Sequence, residues 1–384
     1  MMAVKLLPRI RVNYGLLDLL KACFVNNSSH KIRNKCKMML AEFYNNENVL
    51  LVPSSRDAIF ELLIRLPQKK VVIPSYTCMV VNEAVMLSGK EVVFAKSDMD
   101  TFNSTYLDYI DSYSIVLATH QYGLPCNIKE IAEKCKEVGA VLIEDCATSM
   151  GTKVDGKMTG TFGDYAVVSF NQSKTLNVPP FGGVLIGQNA DMLEQIEETS
   201  EWYDGGMGFK IKGLIKGLAF VIAKNCYAYK LMHWLTLGRN GKLQRNEHEK
   251  TSKMKTDFYK IRFTEWQASI LLRQLEKLED IFKKRKDVYS YYNKHIMNPL
   301  LTLPVYYENA VCTRYAVLTE KRETFYEICL SKGVDMDFSH KSIGCPDDFK
   351  KEHSLADRII NLPLYYEMSE LEMKRVVEVV NSIR

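Results

Sequence analysis

The 384-residue chain has no Cys-x-x-Cys pair and no other zinc-ligand spacing, which removes the common structural zinc folds. No uncharged apolar run reaches about 18 residues, so no membrane-crossing helix is expected. The segment Val4-Lys5-Leu6-Leu7-Pro8-Arg9 is short and broken by proline, which argues against a secretory signal. No internal repeat is visible. An excess of one charge is also missing. The 51 basic and 46 acidic residues leave +5, and the two signs are interspersed, so no nucleic-acid footprint is read from charge. The ten cysteines follow no regular framework. Cys135, Cys146 and Cys226 sit inside hydrophobic segments, as reduced thiols of a cytoplasmic protein do. What is present is an ordinary globular composition, 47% hydrophobic and 25% charged, long enough for two domains.

Residues 1–45 read as a basic arm plus a short helix. Short apolar runs then alternate with helical patterns. The strand candidates are Val49–Val52, Val71–Ile73, Val92–Phe94, Ile115–Ala118, Ala140–Ile143, Tyr165–Phe170 and Val184–Ile186. Between them, Arg56–Leu66, Thr77–Leu87 and Ile128–Val138 have helical periodicity. Strands apolar on both faces and separated by helices predict an α/β fold with a mostly parallel sheet sandwiched by helices. A capping-box pattern at Thr264 and Gln267 opens what reads as one long helix through Leu271, Leu275, Leu278 and Phe282. A strand at Tyr315–Leu318 and a final helix at Ser369–Ser382 follow. The expected division is a large domain over 1–256, with a helical insertion at about 205–250, and a smaller C-terminal α+β domain over 257–384.

Two segments carry chemistry. Ser169-Phe170-Asn171-Gln172-Ser173-Lys174 follows a buried strand and precedes a Pro-Pro-Phe-Gly-Gly turn, an unusual place for a solubilising lysine. A lysine whose charged form burial disfavours can form an imine with an aldehyde cofactor. Asp145 follows another strand, where a carboxylate can keep a pyridine nitrogen protonated. Its alternative role is an N-cap. Ser54-Ser55-Arg56-Asp57 stands between a strand and a helix and offers a start for binding phosphate, or simply a helix cap. In open α/β sheets ligands lie at the carboxyl ends of the strands, where these residues fall.

In chain order, Ile73-Pro74-Ser75-Tyr76, His120-Gln121-Tyr122-Gly123, Glu144-Asp145-Cys146-Ala147, Ser169–Lys174, Arg262–Leu278 and Ile360-Asn361-Leu362-Pro363-Leu364 resemble motifs of the DegT/StrS family of sugar aminotransferases. These belong to the fold-type I class that uses pyridoxal 5'-phosphate (PLP). The resemblance implies PLP as cofactor, with Lys174 as the covalent lysine and proton shuttle and Asp145 on the pyridinium. It implies that Ser169 and the Ser55-Arg56-Asp57 loop hold the phosphate. Lys260 and Arg262 would reach the phosphate or substrate of a neighbouring subunit, hence a homodimer with shared sites. It further implies an amino-acid donor, glutamate being the common one, and a keto sugar, nucleotide-linked, as acceptor. The chain departs from the pattern in four places. Ser55-Arg56 replaces Gly-Thr, Thr148 replaces Gln or His, Cys78 replaces a stacking aromatic, and Lys260 replaces Asn. Dehydratase members carry histidine in place of the lysine, so Lys174 favours amino transfer. A PLP-dependent sugar dehydratase or epimerase, and a catalytically weak regulatory relative, are the alternatives. Tyr203 and His340, in the loops 186–206 and 335–348, are candidate substrate contacts or ordinary surface residues.

Lys212–Leu237 reads as a basic amphipathic helix with aromatics. It suits packing on the body of the protein or on a partner subunit, a substrate lid, or peripheral contact with an anionic membrane.

Overall fold

The computed structural model describes residues 5–26, 29–237, 260–338 and 343–384. Thirteen α-helices and eleven strands are described. In chain order they begin with α1 (Leu16–Cys23), α2 (Lys31–Tyr44), β1 (Val49–Val52), α3 (Ser55–Arg65), β2 (Lys70–Pro74), α4 (Met79–Leu87) and β3 (Glu91–Ala95). There follow β4 (Ser114–Thr119), α5 (Ile128–Val138), β5 (Val141–Asp145) and a small hairpin of β6 (Lys153–Val154) and β7 (Lys157–Met158). Next come β8 (Tyr165–Ser169), β9 (Gly183–Gly187), α6 (Ala190–Thr199), α7 (Met207–Ile222) and α8 (Cys226–Leu237). The rest are α9 (Glu265–Leu275), α10 (Leu278–His295), β10 (Tyr315–Leu318), α11 (Arg322–Ser331), α12 (Lys350–Arg358), β11 (Ile359–Leu362) and α13 (Glu370–Asn381).

Seven strands form one sheet in the order β1-β9-β8-β5-β4-β2-β3. Neighbours from β3 through β8 are parallel, and β9 runs antiparallel to both β8 and β1. Side chains alternate between the faces of such a strand. Ile73, Leu117, Ile143 and Val167 pack with Leu62, Val85 and Trp202 on one side. Val72, Val116, Ala118 and Leu142 meet Ile128, Ile131 and Cys135 on the other. Both faces are covered, which is why these strands read as continuous apolar runs. The C-terminal core gathers Tyr292, Tyr315, Val317, Phe325, Ile360 and Val376 around β10 and β11.

Three expectations need correction. The first 45 residues hold two helices rather than one. The helix predicted to open at Thr264 and run through Phe282 is broken between α9 and α10, where Lys277 leaves helical geometry (φ −121°, ψ 18°). Leu271 and Phe282 still enter one core, so the apolar spacing stays in phase across the break. The helix predicted over Lys212–Leu237 is also two, α7 and α8, joined at Ala223–Asn225, with the Asn225 side chain accepting from the amides of Tyr227 and Ala228.

An N-terminal arm ties the two ends of the chain together. The Leu7 amide donates to Gly333 O (2.9 Å) and the Asp335 amide to Leu7 O (3.0 Å). Arg11 pairs with Glu372 at 2.7 Å. Among the described residues no helix is long and apolar enough to cross a membrane.

Candidate active site

The carboxyl ends of β1, β2, β4, β5 and β8 open on one edge of the sheet. There a cavity of about 420 Å³ is lined by Ser55, Arg56, Cys78, Asp145, Thr148, Ser169 and Lys174 among others. Seven of the residues singled out from sequence therefore meet, although they span positions 55 to 174. Asp57, Lys260 and Arg262 are not among its lining residues. Asp57 lies one residue further round α3, buried, and lines a neighbouring cavity with Trp202 and Lys260. Lys260 pairs with Glu201, and Arg262 donates to Glu197 O (3.2 Å) with its guanidinium 5.9 Å from the Trp202 ring. Tyr203 is half-exposed, and its amide donates to Lys260 O at 2.7 Å. His340 lies outside the described residues.

Lys174 stands on a loop held from several sides. Its amide donates to Asn171 O (2.9 Å), and the Gln172 side chain donates to Val178 O (2.7 Å) while accepting from Tyr14 Oη (2.7 Å). Gln274 accepts from the Asn177 amide (3.0 Å) and donates to its carbonyl (2.7 Å). Buried Arg285 donates to Lys174 O at 3.4 Å. Burial, then the Arg314 cation, holds the Lys174 amine below the ordinary lysine range, while Asp145 and Cys78 act in the opposite direction. Asp145 accepts the Ala147 amide at 3.0 Å, which fixes its carboxylate at the strand end. Burial pushes its carboxyl above the usual range, opposed by that amide and by Lys174. Burial thus disfavours the charged form of each group, while the Ala147 amide and Lys174 favour the Asp145 carboxylate and Asp145 favours the Lys174 ammonium.

Glu144, one residue earlier, points to the opposite side of β5. It accepts the amides of Phe162 (2.6 Å), Gly163 (2.9 Å) and Gly160 (2.9 Å) and faces His120 Nε2 at 3.2 Å. His120 Nδ1 accepts the Cys126 amide (3.2 Å), so the ring proton sits on Nε2 toward Glu144. His120, Glu144 and Cys146 lie close enough to suggest metal ligands. The three amides already use both Glu144 oxygens, and the cluster is a buried brace for the strand that carries Asp145.

The segment His120-Gln121-Tyr122-Gly123 turns back sharply. Tyr122 and Gly123 both have positive φ (59° and 104°). A Cβ at Gly123 would come within 2.7 Å of Cys312 Cα, so only glycine lets this turn approach the C-terminal half. Thr148 Oγ1 donates to His120 O at 2.6 Å, and Gln121 Nε2 to Tyr76 O at 2.6 Å. Sequence reasoning missed Arg314, Asp337 and Phe338, which close the cavity from the C-terminal half. Arg314 pairs with Asp337 at 3.0 Å, and Arg9 reaches the same carboxylate at 3.3 Å. The available signal was positional: Arg314 immediately precedes the predicted strand, and the other two lie in the loop 335–348.

The donor set suits PLP. Ser55 Oγ is buried without a hydrogen-bond partner. A Cβ at Gly183 would come within 2.8 Å of Val168 O and 3.0 Å of the Ser55 amide nitrogen, so glycine keeps the floor beside that loop open. Ser54 accepts the Asp57 amide (3.2 Å), starting α3 with its N-terminus toward the cavity lined by Ser54, Ser55 and Arg56. A carboxyl group for a ring nitrogen, a lysine amine for an aldehyde and a helix start for a phosphate line one space.

This arrangement is the fold-type I architecture of PLP-dependent aminotransferases. Residues 30–381 match the DegT/DnrJ/EryC1/StrS aminotransferase family, and the chain belongs to it. It is 24% identical over 327 residues to the dTDP-3-amino-3,6-dideoxy-alpha-D-galactopyranose transaminase of Aneurinibacillus thermoaerophilus, covering 81% of this chain and 78% of that one. It is likewise 24% identical over 331 residues to the GDP-perosamine synthase of Escherichia coli O157:H7, with the same coverage of 81% and 78%. Among solved structures it is similar to AtS13 from Actinomadura melliaura (TM-score 0.73, 17% identity, 99% of each chain). It is also similar to Helicobacter pylori PseC, an aminotransferase involved in the biosynthesis of pseudoaminic acid (TM-score 0.73, 14% identity, 99% of this chain and 98% of that one).

Proposed function

We propose that the protein is a cytoplasmic PLP-dependent transaminase. It moves an amino group from an amino acid, glutamate by preference, to a keto sugar carried on a nucleotide, for cell-surface polysaccharide or glycoconjugate assembly. The observation that carries this reading is the meeting of Lys174 and Asp145, from two different strand ends, in one cavity of about 420 Å³. Relatives named for dTDP-, GDP- and UDP-linked sugars support the sugar acceptor and leave the nucleotide open.

Bound in this cavity, PLP would supply an electron sink for charge developing on the amino-bearing carbon. The protein's own groups do the rest. Asp145 would keep a proton on the ring nitrogen. The Lys174 amine, which burial and the Arg314 cation bias toward its uncharged form, would take a proton from the substrate carbon and pass it to the cofactor. Ser55, Ser169 and the α3 N-terminus orient the phosphate. Arg314 and Arg56 offer cations to the substrate's anionic groups. We further read the protein as a homodimer with shared sites. Lys260 and Arg262 lie outside their own chain's active-site cavity, Lys260 in the neighbouring cavity beside α3 and Arg262 against Trp202, where they suit a neighbour's phosphate or substrate.

The test incubates PLP-loaded protein with glutamate and a panel of keto nucleotide sugars, following 2-oxoglutarate and the mass of the sugar. An amine-bearing sugar and stoichiometric 2-oxoglutarate are expected, and both vanish in Lys174→Ala. Loss of water from the sugar, or turnover by Lys174→Ala, overturns the reading.

A further inference from the structure

The helical segment after α6 has an outer surface that the cavity does not explain. Helix α7 lies on the body of the protein through two glycines. A Cβ at Gly213 would come within 2.9 Å of the Trp266 ring, and one at Gly217 within 2.9 Å of Leu19. Leu214, Leu218 and Val221 pack beside them. The opposite side carries Met207, Ile211, Ile215 and Ile222, with Met207 69% and Ile215 63% exposed. The spacing of 207, 211 and 215 aligns them as one stripe. Helix α8 repeats the pattern, exposing Tyr227, Leu231, Trp234 and Leu235. Helix α1, in contact with α7, exposes Leu16, Leu17 and Leu20, and Phe24 just after it is 89% exposed. Single exposed apolar residues are normal, but stripes on three neighbouring helices are a surface that asks for a partner.

The charge of the segment selects that partner. Gly205–Thr236 contains five lysines, at 210, 212, 216, 224 and 230, and neither Asp nor Glu. Lys216 donates to Pro180 O (3.1 Å) and Lys224 pairs with Glu367 (2.9 Å). Lys210 and Lys212 flank the stripe of Met207, Ile211 and Ile215, each about 100° of helix rotation from Ile211. A second copy docking this face on itself about a two-fold axis would set lysine against lysine. An anionic lipid surface satisfies apolar stripe and lysines together.

We propose that α7 and α8, flanked by the exposed leucines of α1 and by Phe24 after it, seat the protein on an anionic bilayer surface. The apolar stripes enter the headgroup layer, and Lys210 and Lys212 meet lipid phosphates. Contact is peripheral, since no described helix is long and apolar enough to cross.

Co-sedimentation of the full protein with vesicles tests this, comparing phosphatidylcholine alone with phosphatidylcholine containing phosphatidylglycerol, at low salt. Trp234 gives a second readout: it is 48% exposed, while Trp202 and Trp266 are buried, so a blue shift in emission reports its transfer. Binding to anionic vesicles only, weakened by salt, is expected. Ile211→Asp/Ile215→Asp and Lys210→Glu/Lys212→Glu should each bind about tenfold or more weakly. Circular dichroism checks folding, and the lysine variant decides if the isoleucine variant is unfolded. The proposal is overturned by wild-type protein remaining in the supernatant. It is equally overturned by folded variants that bind as well as wild type, or by an isoleucine variant that loses a subunit in light scattering while wild type ignores vesicles.

Discussion

Glu144→Ala separates the brace behind the site from the site itself. The carboxylate is fully buried and accepts three backbone amides, from Gly160, Phe162 and Gly163, besides facing the His120 Nε2 proton. Alanine removes both oxygens and leaves four donors without partners in a closed interior. An orphaned buried donor costs about 1–3 kcal/mol. Water entering the vacated space recovers part of that. The expected loss is about 4 kcal/mol, roughly a thousandfold in the unfolding equilibrium. Against a typical total of about 5–15 kcal/mol this is severe. Glu144→Gln keeps one acceptor oxygen but turns an NH2 toward amide donors, and should cost roughly 2 kcal/mol. Urea unfolding followed by tryptophan emission measures both. A Glu144→Ala protein within about 1 kcal/mol of wild type, or a glutamine variant worse than alanine, refutes the assignment of the donors.

Two further outcomes concern the cavity directly. Arg314→Gln removes a cation that helps hold Lys174 below its ordinary range, so the lysine's pKa should rise toward 10.5. The pH profile for covalent capture of PLP, trapped by borohydride and read by mass, then moves to higher pH; an unmoved profile contradicts the coupling. Gly183→Val brings a Cβ into the floor at Val168 O and the Ser55 amide. PLP affinity in an absorbance titration should fall about tenfold or more; unchanged affinity means that the phosphate loop does not depend on this floor.

The strands were legible because burial on both faces leaves an uninterrupted apolar run, as in Ile115–Ala118. Asp145, Ser169 and Lys174 were legible because parallel sheets put ligand-facing residues just after such runs. The breaks after Leu275 and Ile222 were not, since neither carries proline; across the first the apolar spacing stays in phase, with Leu271 and Phe282 in one core. Arg314 and Asp337 were hidden for another reason: they come from the C-terminal half, which meets the sheet edge through contacts such as Thr313 N to Tyr122 O that local pattern does not encode. Asp57 shows the limit of reading a loop as a unit. Helical rotation at the start of α3 puts Arg56 on the cavity and turns Asp57 toward Trp202. Strand β11 was noticed only as a motif, because Ile359–Leu362 is four residues long and becomes a strand by pairing with β10.

The N-terminal arm has a consequence for how the molecule is born. Leu7 bonds to Gly333 and Asp335, and Asn13 to Thr175 and Asn177 on the lysine loop. During synthesis, the stretch around Leu7 must therefore wait for more than 300 residues to be translated before its seat exists. Pairings so distant in sequence form late. Ribosome-bound nascent chains stalled short of residue 333 would leave that arm unmoored, and with it one of the supports that steady the loop bearing the reactive amine.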